Sequence, residues 1–237
     1  MRLAPLGFRL FALVIVAAGG LALYSWGKGH PQDLPWTPLI LADATGRFTQ
    51  YKIARLRDDF PGCRAVLDRG QVDYTVLTPV AAGGACGYDD GVRLGRDSGG
   101  VYAPRADTSC SVAIGLFLWE KQVVEPAAMR HFGQKVTRID TFGSYACRPV
   151  RGGREGRWSE HARANAIDIA AFRLADGRRI SVAGGWTRTD ADGAFLRDVR
   201  DGACRMFSTV LSPDYNALHR DHLHLDQASR GGWGFCR

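Results

Sequence analysis

Four of the six histidines in this chain fall in two short clusters near the C-terminus. The first reads S-E-H-A-R-A-N-A-I-D, with His161 seven positions before Asp168; the second reads H-R-D-H-L-H-L-D and brings His219, His222 and His224 within six residues. A catalytic zinc usually takes three protein ligands from His, Asp and Glu and keeps its fourth position for water. His161, Asp168 and His224 can supply that trio, which leaves His222 for proton transfer. Asp168 lies in the apolar run Ala166-Ile167-Asp168-Ile169-Ala170-Ala171, and His224 stands between Leu223 and Leu225. Such groups inside a half-buried strand cost free energy unless they are paired or hold a metal. A lone histidine there is more often a hydrogen-bonded core residue, but two such clusters together favour a Zn2+ site. His222 and His224 are two apart and are expected on one strand face. His219 is expected to line the same pocket. Asp221 is expected at solvent or behind the ligands, and Glu160 behind the ligands or on the surface.

The elements that must position these residues are read from periodicity. The chain is expected to be α+β, its C-terminal half a small antiparallel sheet flanked by helices. Strands are expected at Val136–Ile139, Tyr145–Cys147 and Leu223–Leu225. Asn165–Leu174 and Arg179–Ala183 form a hairpin turned by Ala175-Asp176-Gly177-Arg178, because Asp-Gly favours the positive φ of such turns. Phe195, Val199, Ala203, Phe207 and Leu211 repeat every four residues and predict a long helix ended by Pro213. The preceding half, 35–134, reads as mainly helical. Phe48, Tyr51, Ile53 and Leu56 recur near helical spacing, and Pro61 opens a second short helix. The glycine-rich stretch Asp73–Pro104 suggests strands joined by turns. A helix from Ser109 to Gln122 and a short one over Pro126–Phe132, closed by Gly133, complete that half.

The N-terminus carries an address. Arg2 and Arg9 precede an uncharged run from Leu10 to Gly27 that is long enough to span a bilayer, with Tyr24 and Trp26 where interfacial aromatics belong. The expectation is a membrane segment over 1–27, a linker over 28–34 and an exported body over 35–237, with the anchor favoured over cleavage near Val16-Ala17-Ala18. Six widely spaced cysteines without a C-x-x-C pair agree, reading as up to three disulfides in an oxidising compartment. A Cys147–Cys204 link is expected between the Y-A-C-R segment and the long helix. The net charge of +7 suits an anionic membrane or an acidic polymer, and with no basic cluster interleaved with aromatics, nucleic acid is not expected as a partner.

The pattern S-x-H-x6-D followed by H-x-x-H-x-H resembles the zinc D-alanyl-D-alanine carboxypeptidases and murein endopeptidases. That resemblance implies His161, Asp168 and His224 as metal ligands and His222 as the active-site histidine. It also implies an upstream arginine that holds a substrate carboxylate or carbonyl; Arg148 is the candidate, with Arg154, Arg157 and Arg163 as competitors. Over about residues 34–237 the chain is still more similar to the bacterial extensin-like C-terminal domain family, through P-W-T-P-L at 35–39, Y-A-C-R at 145–148, S-E-H-A at 159–162 and V-L-S-P-D-Y-N at 210–216. One position departs from the peptidases: they commonly have glycine three residues after the first histidine, where this chain has Ala164, tolerated if its φ is negative. The implied activity is zinc-dependent hydrolysis of amide bonds in peptidoglycan stem peptides, on the periplasmic side of an inner membrane. The alternatives are a zinc-containing peptidoglycan- or carbohydrate-binding protein and a metal-free envelope protein held by disulfides.

Overall fold

A computed structural model of the chain describes residues 6–96, 101–150, 158–231 and 234–237. It is a mixed α+β structure. The first helix, α1 (Leu6–Gly29), contains a 20-residue window, Leu10–Gly29, of mean hydropathy 1.9 with none of it buried. By length and composition this helix is able to cross a membrane, as an anchor or as a signal sequence. The stretch expected as a linker is docked on the body: Lys52 Nζ donates to Pro31 O at 3.0 Å, and Arg47 N–H donates to Asp33 Oδ1 at 2.6 Å.

Two short helices follow, α2 (Thr49–Ala54) and α3 (Phe60–Arg69); Pro61 sits in the first turn of α3 and Asp59 caps it by accepting from Gly62 N–H. The glycine-rich stretch folds into β1 (Tyr74–Val76), β2 (Val80–Gly83), β3 (Cys86–Tyr88), β4 (Gly91–Leu94) and β5 (Tyr102–Ala103), followed by β6 (Thr108–Ser109). Strands β1, β4 and β6 make a small sheet, β2 and β3 a hairpin, and β5 joins the main sheet. The N-terminal half is therefore less helical than expected.

The two helices expected over Ser109–Gln122 and Pro126–Phe132 are one continuous rod. Helix α4 (Cys110–Trp119), capped by Ser109, runs through a single wide turn at Glu120–Val124 into α5 (Glu125–Phe132), which Gly133 closes at φ 63°. Pro126 explains the wide turn. Its ring has no N–H to offer and would crowd the carbonyl one turn earlier, and a widened turn relieves both problems without ending the helix. Burial of α4 on nearly every side holds the rod in place.

The main sheet has seven strands, more than the small sheet expected. Beyond β5 these are β7 (Val136–Gly143), β8 (Ala166–Leu174), β9 (Arg179–Ser181), β10 (Thr209–Leu211), β11 (Leu223–Asp226) and β12 (Phe235–Cys236), in the order β12-β10-β11-β8-β7-β5 with β9 also on β8. Most pairings are antiparallel, but β5–β7 and β10–β12 are parallel. The β8–β9 hairpin forms as expected, with Gly177 at φ 87°, and β9 runs straight into a short helix, α6 (Val182–Gly185). Two expectations fail. The Tyr145–Cys147 stretch makes no ladder. The long helix, α7 (Ala191–Ala203), stops eight residues early, and Phe207 and Leu211 belong to the chain reversal and strand β10. A four-residue repeat is also a two-residue repeat counted twice, and the open edge of β11 takes the Thr-Val-Leu segment as a strand. The core is centred on Phe172 of β8, whose ring lies 5.9 Å from Trp119 and 5.1 Å from Phe195, so that α4, β8 and α7 meet there.

The cysteines form three disulfides: Cys63–Cys110, Cys86–Cys147 and Cys204–Cys236. The expected Cys147–Cys204 link is not among them. Cys147 instead ties the Y-A-C-R segment to β3, and Cys204 ties the end of α7 to β12, because tertiary neighbours rather than spacing choose the partners.

Candidate metal centre

Strand register creates the centre. In the β8–β11 pairing His224 stands directly opposite Asp168, and β10 places Leu211 on the other side of His224. His161 comes from a short turn, Glu160–Arg163, whose entry is capped by Ser159 Oγ accepting from His161 N–H. That turn ends at Ala164 with φ 53° and ψ 17°, the left-handed conformation, so the condition of a negative φ for an alanine there is not met. A left-handed alanine costs roughly 1–2 kcal/mol. It is held by Ala164 N–H donating to His161 O at 3.1 Å and by the turn's packing in a fully buried site.

His161, Asp168 and His224 are all buried. His161 Nε2 lies 3.2 Å from Asp168 Oδ1 and 3.2 Å from His224 Nδ1, and His224 Nδ1 lies 2.9 Å from Asp168 Oδ1. A tetrahedral ion with bonds of about 2.0–2.1 Å needs donor atoms about 3.3–3.4 Å apart. The trio thus fits a zinc-sized ion after a few tenths of an ångström of relaxation. The far nitrogens of both rings are occupied, His161 Nδ1 by Ser144 O at 2.6 Å and His224 Nε2 by Asp226 Oδ2 at 3.0 Å. An acceptor behind each ring places the proton there and turns a lone pair toward the common centre.

The charges agree with this layout. Burial pushes the Asp168 carboxyl up, but hydrogen bonds from His161 and His224 outweigh it and hold the group well below the usual carboxylate range. Burial opposes charge on His224, yet Asp168 and Asp226 raise it to about 9. Without a cation the cluster therefore retains a proton where an ion would sit. Burial, helped by the neighbouring His222 and His224, lowers His219 to about 4.

His222 precedes β11 rather than lying within it, yet its Nε2 reaches to 3.6 Å from Asp168 Oδ1. Its Nδ1 is 2.9 Å from Asp221 Oδ1, so Asp221 orients the ring. The His219 ring is 5.2 Å from that of His222, and its Nδ1 is 2.8 Å from Asn216 Oδ1. Glu160 is turned to another task, accepting from Asn165 Nδ2 at 2.6 Å. The centre opens into a groove of about 680 Å³ with Phe142, Trp158 and Tyr215 along its walls and Arg148 and Arg230 as its cations. Arg148 is exposed; Arg163 is not among the groove residues, and Arg154 and Arg157 lie outside the described residues. Sequence reasoning missed Ser144, Asp226, Arg230 and Tyr145. Arg230 is held by Thr209 Oγ1 at 2.7 Å and lies over the Phe235 ring, and the buried Tyr145 hydroxyl has no hydrogen-bond partner among the described residues. Only Asp226 carried a signal, being two residues beyond His224 and so on the same strand face.

The family described as extensin-like protein C-terminus matches residues 61–237, well over half of the chain. The chain belongs to that family. Every metal-donor candidate of this extensin-like chain lies inside the match, whereas the P-W-T-P-L segment at 35–39 and helix α1 lie before it. No curated protein and no solved structure matches the chain.

Proposed function

We propose that this extensin-like protein is a zinc-dependent peptidase that hydrolyses amide bonds of peptidoglycan peptides in the cell envelope, as a D,D-carboxypeptidase or endopeptidase. The observation that carries this reading is a buried, oriented His161–Asp168–His224 donor trio beside an Asp221–His222 pair, open to a groove. His161 Nε2, Asp168 Oδ1 and His224 Nδ1 would hold the ion. When bound, zinc polarises a carbonyl and brings the pKa of a water toward neutrality. His222 Nε2 then accepts a proton and returns it to the leaving amine, while Asp221 Oδ1 accepts from His222 Nδ1 and stabilises the imidazolium. Arg148 or Arg230 clamps a substrate carboxylate, and the Tyr145 hydroxyl is free to donate to a substrate oxygen. The similarity to zinc D-alanyl-D-alanine carboxypeptidases in the two histidine clusters supports the same reading. The N-terminal apolar helix is taken as an inner-membrane anchor that leaves the body in the periplasm, with a cleaved signal as the alternative.

A second reading draws on one distance. His222 Nε2, 3.6 Å from Asp168 Oδ1, is close enough to become a fourth ligand, which would close the site and leave a zinc-containing binding protein. One experiment separates the two. Protein purified without chelator is assayed for zinc, then incubated with peptidoglycan, and the released fragments are weighed by mass spectrometry. The peptidase reading expects one zinc per chain, cleaved peptides, and a His222→Ala variant that keeps its zinc and loses about 100- to 10,000-fold of the rate. No cleavage by the wild type, with weakened zinc binding in His222→Ala, would establish the closed site instead.

A further inference from the structure

The far end of β8 carries a second cluster that the proposed hydrolysis does not use. Arg138 of β7, Arg173 of β8 and Arg179 of β9 are register partners, Arg138 opposite Arg173 and Arg173 opposite Arg179. Like charges directly opposite one another destabilise a sheet. The compensation here is a single carboxylate: Asp140 Oδ1 accepts from Arg138 Nε at 2.7 Å, and Oδ2 accepts from Arg179 Nε at 2.7 Å. Arg173 Nε, 3.7 Å from Oδ1, is buried and makes no hydrogen bond among the described residues. Three guanidiniums against one carboxylate leave two positive charges. Among the described residues, the terminal nitrogens of all three arginines make no hydrogen bond.

The row does not stop at the sheet edge. Arg138 also lines a cavity of about 450 Å³ with Arg93, Arg96 and Arg105. Arg93 is taken by Asp107, at 2.7 Å from its terminal nitrogen. Arg96 and Arg105 have no carboxylate partner among the described residues.

We propose that the Arg138–Arg173–Arg179 row, with the adjoining cavity, binds a phosphate-bearing dianion, either free or as a lipid headgroup. The charge decides the class. A single carboxylate ligand would leave the row positive, whereas a phosphate monoester or pyrophosphate matches the two surplus charges and offers oxygens to several guanidinium forks at once. Neighbouring strands lie about 4.8 Å apart, so the row spans about 10 Å, and the cavity accommodates whatever group the phosphate carries.

The test uses the full chain in neutral detergent micelles at low salt, with isothermal titration of pyrophosphate in one arm and of micellar phosphatidic acid in the other. Saturable binding in either arm is expected, and it should weaken by roughly tenfold or more in Arg173→Gln/Arg179→Gln. Saturation in the pyrophosphate arm alone assigns a free phosphate compound, and saturation with phosphatidic acid assigns a headgroup. Arg138→Gln, read in the same way, replaces the double variant if that protein does not fold. No saturable binding in either arm, unchanged affinity in the folded variant, or citrate competing equally with pyrophosphate would each overturn the proposal.

Discussion

Asp168 of β8 and Asp140 of β7 are carboxylates of nearly equal burial, 7% and 9% exposed, that keep different company. Both are held below the ordinary carboxylate range against the effect of burial, Asp168 by His161 and His224 and Asp140 by Arg179 and Arg138. The partners differ. Those of Asp168 are buried imidazoles whose outer nitrogens are already satisfied by Ser144 and Asp226, so their lone pairs have one place to point. Those of Asp140 are half-exposed guanidiniums, which cannot give up a proton and have donors to spare. A carboxylate among neutralisable bases suits a cation; a carboxylate beneath permanent cations suits an anion. Burial of the carboxylate alone does not distinguish them.

Exchanging the two carboxylates for amides tests that comparison most severely. Asp168→Asn is expected to abolish stoichiometric zinc, and with it about 4 kcal/mol of stabilisation by ion at roughly a thousandfold excess over Kd. Asp140→Asn should leave zinc content unchanged. It should cost about 1 kcal/mol, since its ion pairs reach half-exposed arginines that water already screens. Metal analysis and thermal melts of both variants check this, and loss of zinc in Asp140→Asn would dissolve the distinction.

The pH response sharpens it. In chelator-treated protein, His224 is raised from 6.5 to about 9, so its stabilising contribution is complete below pH 6.5 and is lost as pH rises through about 9. Asp168 is depressed, so its contribution is complete above 3.8 and is lost only as pH falls toward its lowered value. Metal-free protein should therefore lose stability between pH 6.5 and 9. Zinc takes the place of the proton, so the rise in Tm on adding zinc should grow over the same range. A zinc-induced shift that shrinks as pH rises would remove His224 Nδ1 from the ligand set.

The smallest effect belongs to Ala164. Exchange for glycine relieves a left-handed strain of roughly 1–2 kcal/mol but forfeits a buried methyl worth about 0.8 kcal/mol and loosens the unfolded chain. Denaturant melts of Ala164→Gly should agree with the parent within about 1 kcal/mol, zinc content being unchanged. A large loss would show that the methyl, rather than the backbone, positions His161.

The meeting of His161, Asp168 and His224 was legible because polar residues stood in apolar strands, where each needs a polar partner. The β8–β9 hairpin was legible from Asp-Gly, and the end of the α4–α5 rod from Gly133. The end of α7 was not, since the spacing of Phe195, Val199, Ala203, Phe207 and Leu211 suits a helix and a strand equally until a neighbouring strand edge is known. Arg138, Arg173 and Arg179 were invisible as a group, because their alignment depends on the register of three strands and on the bulges in β7.

By itself the sequence determined the residue types: two histidine clusters able to hold zinc, an apolar N-terminal helix, six cysteines for three bridges and a net charge of +7. Tertiary structure decided the partners. It set His224 opposite Asp168, put Ser144 and Asp226 behind the two rings, paired Cys147 with Cys86, turned Ala164 left-handed and lined up three arginines. The physical reason is that side-chain chemistry is local to a residue. Coordination, disulfide pairing and charge compensation are properties of distances between residues far apart in the chain, and those exist only once the sheet has chosen its register.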